Sequence, residues 1–283
     1  MQLIKKFIIV LVLIVICTVS ARCNISHAAR LFDDASSEYL ANANAILTGP
    51  PLAFVGWFKA DASAAEMAIL SIVVDGAGSD HFILLSLRVS GGNPQVVRFA
   101  HRGVGGAGTS VADTPANWTL NTWQHATGIL ATNTDRRVFL NAANKDTDSQ
   151  EIISSGLNTI EIGALQTTSR VIFMSGNLAE VAIYDLSAWP GATDVLKADA
   201  FEKIVPSLAA GVSPLNFPLG LVAYYPLIRD INDRVGGFNM TDNGGTVSEH
   251  VDSLYPFPKY SFDFTAAAPP AGIEIFRRRI EGY

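Results

Sequence analysis

The sequence predicts an all-β fold: a two-sheet antiparallel sandwich with one short helix. Three observations predict it. Apolar residues recur every second position through most of the body, the alternating runs are short, and clusters of Gly, Pro, Asn, Asp and Ser separate them. A parallel α/β sheet would need a helical pattern between successive strands. Only one stretch of this chain has such a pattern.

The elements follow in order. Segment 52–58 (LAFVGWF) is dense in aromatic and branched residues, which favour a pleated, buried surface. Segment 81–90 sets Ile83, Leu85, Leu87 and Val89 against Ser86 and Arg88. Segments 95–101, 123–131, 136–141 and 159–165 repeat the theme. In 177–185 the alternation places Ala179, Val181 and Ile183 on one face and Glu180 on the other. Segment 220–227 (GLVAYYPL) closes the series. The exception is 193–205, rich in helix formers, with Thr193 or Asp194 placed to cap its start and Pro206 to mark its end. Gly103, Gly105 and Gly108 match a dinucleotide-binding spacing, but the following TSVADTPANW carries Pro115 and no 3.6-residue period. It reads as a flexible loop.

Composition narrows the function. Hydrophobic residues are 49% of the 283 and charged residues 16%, which excludes a disordered chain. The net charge is −6 and no basic stripe appears, which argues against nucleic acid as a partner. The only cysteines are Cys17 and Cys23, so the body cannot hold an internal disulfide or a cysteine zinc site. Residues 1–23 carry Lys5 and Lys6, an apolar run from Phe7 to Val19, then Ser20 and Ala21. That order is a secretory signal peptide with a cut after Ala21, or, uncleaved, an N-terminal anchor. It is the one feature that suggests contact with a membrane, and the expected location is secreted or at a cell or virion surface. After Tyr255 the pattern changes to Pro breaks, an Ala-Pro linker and Arg277, Arg278 and Arg279. The expected organisation is therefore 1–23 as leader or anchor, 28–255 as one sandwich domain and 256–283 as a tail.

Particular strings carry a family resemblance. AARLFDDASSEYL, FVGWFKAD, NTWQHATGILA, RRVFLNAANK, GNLAEVAIYDLSAW and LAAGVSPLNFPLGLVAYYPL occur in this order between about 28 and 255. Together they resemble the laminin-G-like branch of the concanavalin A-like lectin/glucanase jelly rolls, in the version seen in phage and bacterial proteins. Tyr225 stands where that version usually has Trp. The resemblance implies a jelly roll, and it implies fold better than function. Members bind glycans, proteins or calcium, and some are glycosidases. The glycosidases carry Glu-x-Asp-x-x-Glu on one strand, and this chain has no match.

Candidate sites follow. Glycoside hydrolysis needs two carboxylates about 5–9.5 Å apart. Glu180 and Asp185 are an odd number of residues apart and point to opposite faces, so Glu180 reads as a ladder residue. Asp146 and Asp148 share a face but read as a solvated turn. No catalytic residue is assigned, and the chain is not expected to be an enzyme. Calcium needs several oxygen ligands held in a loop. The DGAGSDH loop offers Asp75 and Asp80 with glycines between them, so any calcium is expected there; no other cofactor is expected. Trp57 and Trp123 match core positions of the family. Trp118 and Trp189 fall in predicted loops and are the candidates for stacking on a sugar ring. The expected function is a non-catalytic binding module for a glycan or another extracellular or virion-surface ligand. The alternative is a coat or assembly protein that packs as an oligomer, and a glycoside hydrolase or lyase is a third reading.

Overall fold

The computed structural model describes residues 29–63, 65–76, 80–103, 108–228 and 230–243, and the backbone of 249–250. All of these fall in one compact unit, 27–256. The expected leader 1–23 and tail 256–283 lie outside the described residues.

Two antiparallel sheets face each other. The first runs in the order β10 (Ala143–Asp148), β9 (Asp135–Leu140), β8 (Gln124–Thr132), β3 (Leu52–Ala60), β14 (Gly176–Asp185), β1 (Ala29–Phe32) and β17 (Glu249–His250). Strand β15 (Leu221–Tyr225) also pairs with β14. The second runs β16 (Thr241–Asn243), β2 (Tyr39–Asn42), β11 (Thr159–Ile162), β4 (Met67–Val73), β5 (Phe82–Ser90), β6 (Asn93–Arg102) and β7 (Thr109–Asn117). A small hairpin, β12 (Leu165–Gln166) with β13 (Arg170–Val171), stands apart from both sheets. Every strand predicted from alternation is present.

The main core lies between the sheets. Phe54, Val138 and Ile183 come from the first sheet and Leu70, Ile83 and Phe99 from the second. The rings of Phe54 and Phe99 meet edge to face at 5.8 Å. Gly128 makes room for that pair, because a Cβ there would lie 2.3 Å from the Phe99 ring. Strand β4 is buried at all seven positions. One face enters the core, while Ala68 and Val73 pack with Leu165 and Val171 of the hairpin. Burial on both faces removes the polar half of an alternation, which is why this strand has no period-two signal.

The stretch read as a flexible loop, TSVADTPANW, is a strand. Residues Thr109–Asn117 form β7 at the edge of the second sheet, paired to β6 alone. An edge strand tolerates a proline, because the missing N–H can sit on the unpaired side. Asp146 and Asp148 also differ from expectation, lying in edge strand β10 rather than in a turn.

The predicted helix is present as α1 (Asp194–Glu202), followed by a single turn, α2 (Val205–Ala209). Thr193 caps α1, its hydroxyl accepting from the Leu196 N–H at 3.3 Å. Ala198 and Phe201 of α1 pack in a second apolar cluster on the outer face of the first sheet, with Ile129, Ala131 and Tyr184. This helical cover closes much of that face.

The turn after β15 is organised by one carboxylate. Asp233 accepts four backbone N–H groups, from Tyr224 at 2.8 Å, Val235 at 3.0 Å, Gly236 at 2.8 Å and Phe238 at 3.1 Å. Asp233→Ala leaves these donors without that acceptor, and a buried orphan donor is costly. The expected loss is roughly 2 kcal/mol, read as a lower melting temperature. Asp233→Asn, which keeps one acceptor oxygen, should fall between. An unchanged melt in Asp233→Ala would show that the turn is held by other contacts.

Candidate functional site

Strand β9 opens Asp135-Arg136-Arg137, and period two sends the two arginines to opposite faces. Arg136 points inward on the side of Val138. Arg137 points outward on the side of Phe139, toward the helical cover.

The inward arginine is fully buried where the edge strands β7 and β10 approach each other. It pairs with Asp148, donates to the Ser110 hydroxyl at 2.9 Å, and reaches the carbonyls of Asn133 at 2.8 Å and Gln150 at 2.5 Å. Nearby His101 is buried, with Nε2 3.0 Å from the Ser154 hydroxyl. Burial, the Arg136 charge and His81 push its pKa down to about 4, so it is neutral at physiological pH.

The outward arginine is 5% exposed by its side chain and holds three carboxylates. It makes a two-pronged contact with Asp135 at 2.8 and 2.6 Å and reaches Asp199 at 2.7 Å and Glu202 at 2.5 Å, both on α1. Hydrogen bonds to Asp135, Glu202 and Asp199 outweigh the effect of burial and raise its pKa. Lys145 of β10 holds both oxygens of Glu202, at 2.7 and 2.9 Å. Around this network opens a groove of about 400 Å³, lined by charged side chains and by Thr134, Thr147 and Ser149. Its volume is within the range of small-ligand sites, although its walls are polar.

A second, closed site lies under the helical cover. Strand β14 bulges at Ala179–Glu180 against β3, and Glu180 takes φ +51°, a strained value for a non-glycine residue. The bulge sends Leu178, Val181 and Ile183 into the main core and turns the Glu180 carboxyl to the outer face. There it accepts the Tyr224 hydroxyl at 2.7 Å, and the Ser213 hydroxyl lies 3.3 Å from that of Tyr224. Trp57, His125, Leu208 and Pro214 complete a cavity of about 10 Å³, at the lower limit for one water. Burial pushes the Glu180 pKa up to about 7, against the hydrogen bonds of Tyr224 and Ser213.

Comparison with known proteins places this geometry in a family. The family model of the concanavalin A-like lectin/glucanases superfamily, in its laminin G form, matches residues 34–188, more than half of the chain. The chain belongs to the concanavalin A-like lectin/glucanase superfamily. A candidate carbohydrate binding protein from Bacteroides ovatus shares its fold, with 16% identity, a TM-score of 0.52 and 82% of this chain covered. This chain spans 61% of that protein's length. A SAP-like pentraxin from Limulus polyphemus is 14% identical over 78% of this chain and 94% of its own, with a TM-score of 0.49. The CBM40 module of the Ruminococcus gnavus IT-sialidase, bound to α2,3 sialyllactose, is 18% identical over 54% of this chain and 84% of its own, with a TM-score of 0.42. Curated protein sequences gave no match.

In this concanavalin A-like chain the residues singled out from sequence fall elsewhere than expected. Trp118 is 2% exposed and sits in the main core. Its ring meets Phe58 edge to face at 6.3 Å, and its Nε1–H donates to the Arg88 carbonyl at 3.1 Å. Trp189 is 9% exposed, packed 5.1 Å from the Phe201 ring beneath α1. Neither ring offers an open face to a sugar, because each plugs an end or a cover of the sandwich. Trp57 and Trp123 are buried, as the resemblance implied.

Asp75 and Asp80 lie in the connection between β4 and β5. Asp75 pairs with Arg170 at 2.9 Å, and Asp80 pairs with Arg102. Among the described residues each of these carboxylates is paired with a guanidinium. Residues 77–79 of this loop lie outside the described residues. No group of three or more His, Cys, Asp or Glu placed to hold a metal occurs among the described residues.

The groove was missed from sequence. Its one signal is the Arg136–Arg137 pair, since adjacent arginines on a strand must serve opposite faces. The partners Asp199 and Glu202 come 62 and 65 residues later, on the helix.

Proposed function

We propose that this chain is an exported, non-catalytic binding module that holds a glycan in the groove between β9, β10 and α1. The groove itself carries the reading. It is an open, fixed polar surface offering carboxylate acceptors and hydroxyls of Thr134, Thr147 and Ser149, which suits a ligand dense in hydroxyl groups. The ion pairs hold Arg137, Lys145 and their carboxylates in place before binding, which lowers the ordering cost. The fold likeness to the candidate carbohydrate binding protein from Bacteroides ovatus supports the same reading. Export rests on the order of charged, apolar and small residues in 1–23. No helix among the described residues is long and apolar enough to cross a membrane.

The closed site supports the non-catalytic part. Glu180 has the raised pKa of a general acid, but its cavity has room for about one water and none for a sugar ring.

Thr147 is an exposed residue of the groove wall that belongs to none of the ion pairs described above, so Thr147→Trp fills the groove and leaves its charges in place. We expect wild-type protein to bind on an array of immobilised oligosaccharides. Thr147→Trp should lose more than tenfold in affinity with an unchanged melting temperature. Turnover of any of these oligosaccharides, abolished by Glu180→Gln, would overturn the non-catalytic reading.

A further inference from the structure

We infer that the groove selects neutral glycans and rejects acidic ones, an inference that rests on the glycan-binding reading above. The basis is prior pairing. Recognition of a sialic acid, uronic acid, sulfate or phosphate is strongest where a cation is not already committed to a carboxylate. At this groove each cation is already paired with carboxylate. Arg137 is bound to Asp135, Asp199 and Glu202, and Lys145 to both oxygens of Glu202. Arg136, behind the wall, is bound to Asp148 and is fully buried.

Charge points the same way. Four carboxylates (Asp135, Asp148, Asp199 and Glu202) stand against three cations (Arg136, Arg137 and Lys145), an excess of one negative charge. Asp199 is half exposed and Asp135 and Asp148 partly so, with acceptor capacity beyond their ion pairs. An anionic ligand would meet like charge inside one Debye length, with no unpaired cation to compensate. A neutral sugar meets what its hydroxyls need, namely carboxylate oxygens that accept and threonine and serine hydroxyls that both donate and accept. Specificity arises from the repulsive element as much as from the attractive one.

The test is an array that carries neutral oligosaccharides beside their sialylated, uronic and sulfated counterparts, probed with wild type, Thr147→Trp, Asp199→Asn and Asp199→Lys. Wild type should prefer the neutral member of each pair by at least tenfold, and Thr147→Trp should remove that binding. Asp199→Lys adds a cation and removes an anion, and should narrow the preference to under threefold. Asp199→Asn should narrow it less, and covers the case in which the lysine variant does not fold. Raising the salt should also shrink the gap, since screening acts on the repulsion. Equal or tighter binding of the acidic members, lost in Thr147→Trp, overturns the neutral selectivity and leaves glycan binding at the groove intact. Neutral binding indifferent to Thr147→Trp overturns the groove as the site. Retention of no glycan by a folded wild type overturns the glycan reading and this inference with it.

Discussion

Glu180→Gln should make the fold more stable at pH 8, by roughly 3 kcal/mol, and leave it nearly unchanged at pH 4.5. The carboxyl has a folded-state pKa of about 7 against an ordinary 4.5, with burial as the main cause. A carboxyl with a raised pKa binds its proton more tightly in the folded state. Its contribution is therefore complete below about pH 4.5 and is lost as the pH climbs through 7. Gln keeps an acceptor for the Tyr224 hydroxyl and has no charge to bury. The expected difference at pH 8 is a melting temperature higher by roughly 6–12 °C. The wild-type profile alone does not isolate this effect. His101 and His125, with pKa values held down to about 4 and about 3, remain neutral when folded, and their contribution declines as the pH falls below 6.5. They oppose Glu180 between pH 4.5 and 6.5, so the informative quantity is variant minus wild type across pH 4.5–8. A difference that does not change with pH would mean that Glu180 is ionised and hydrated in the native protein.

Trp118→Ala should be the most damaging single change considered, at roughly 4 kcal/mol. The ring is 2% exposed, fills the space against Phe58 and anchors the Arg88 carbonyl. Truncation leaves a cavity between the sheets and an acceptor without its donor. Trp118→Phe keeps most of the ring and loses the hydrogen bond, and should cost about 1 kcal/mol. In both variants glycan affinity should follow the folded fraction alone. A variant that melts like wild type but binds more weakly would return Trp118 to the role of a stacking platform.

The fold was legible wherever one face of a strand met water. The alternation through 81–90 and 177–185 located β5 and β14 to within a residue. Legibility failed where that condition failed. Strand β4 is covered on both sides, and β7 is an edge strand whose composition is that of a loop. The aromatic candidates failed for another reason. A tryptophan just outside a strand looks exposed in one dimension, but Trp118 and Trp189 fold back as plugs. The groove depends on contacts between residues 62 and 65 positions apart, and no local pattern encodes such contacts. Glu180 shows the limit most sharply. Parity placed it on the face opposite Val181, which holds, yet the bulge that gives it φ +51° and a closed cavity left no trace in the alternation.

The meeting of β7 and β10 has a consequence for how copies of this chain can associate. A strand at the rim of a sheet is a template on which another molecule can polymerise. Here the end strands of the two sheets approach each other, and carboxylates of β10 reach β7. The Asp113 N–H donates to Asp146 at 3.1 Å, and Asp148 lies between Ser110 and Arg136. The edge strand itself reads Ala-Asn-Lys-Asp-Thr-Asp, a charged sequence poorly suited to accept a neighbour. Among the described residues, strand addition is therefore disfavoured along this flank.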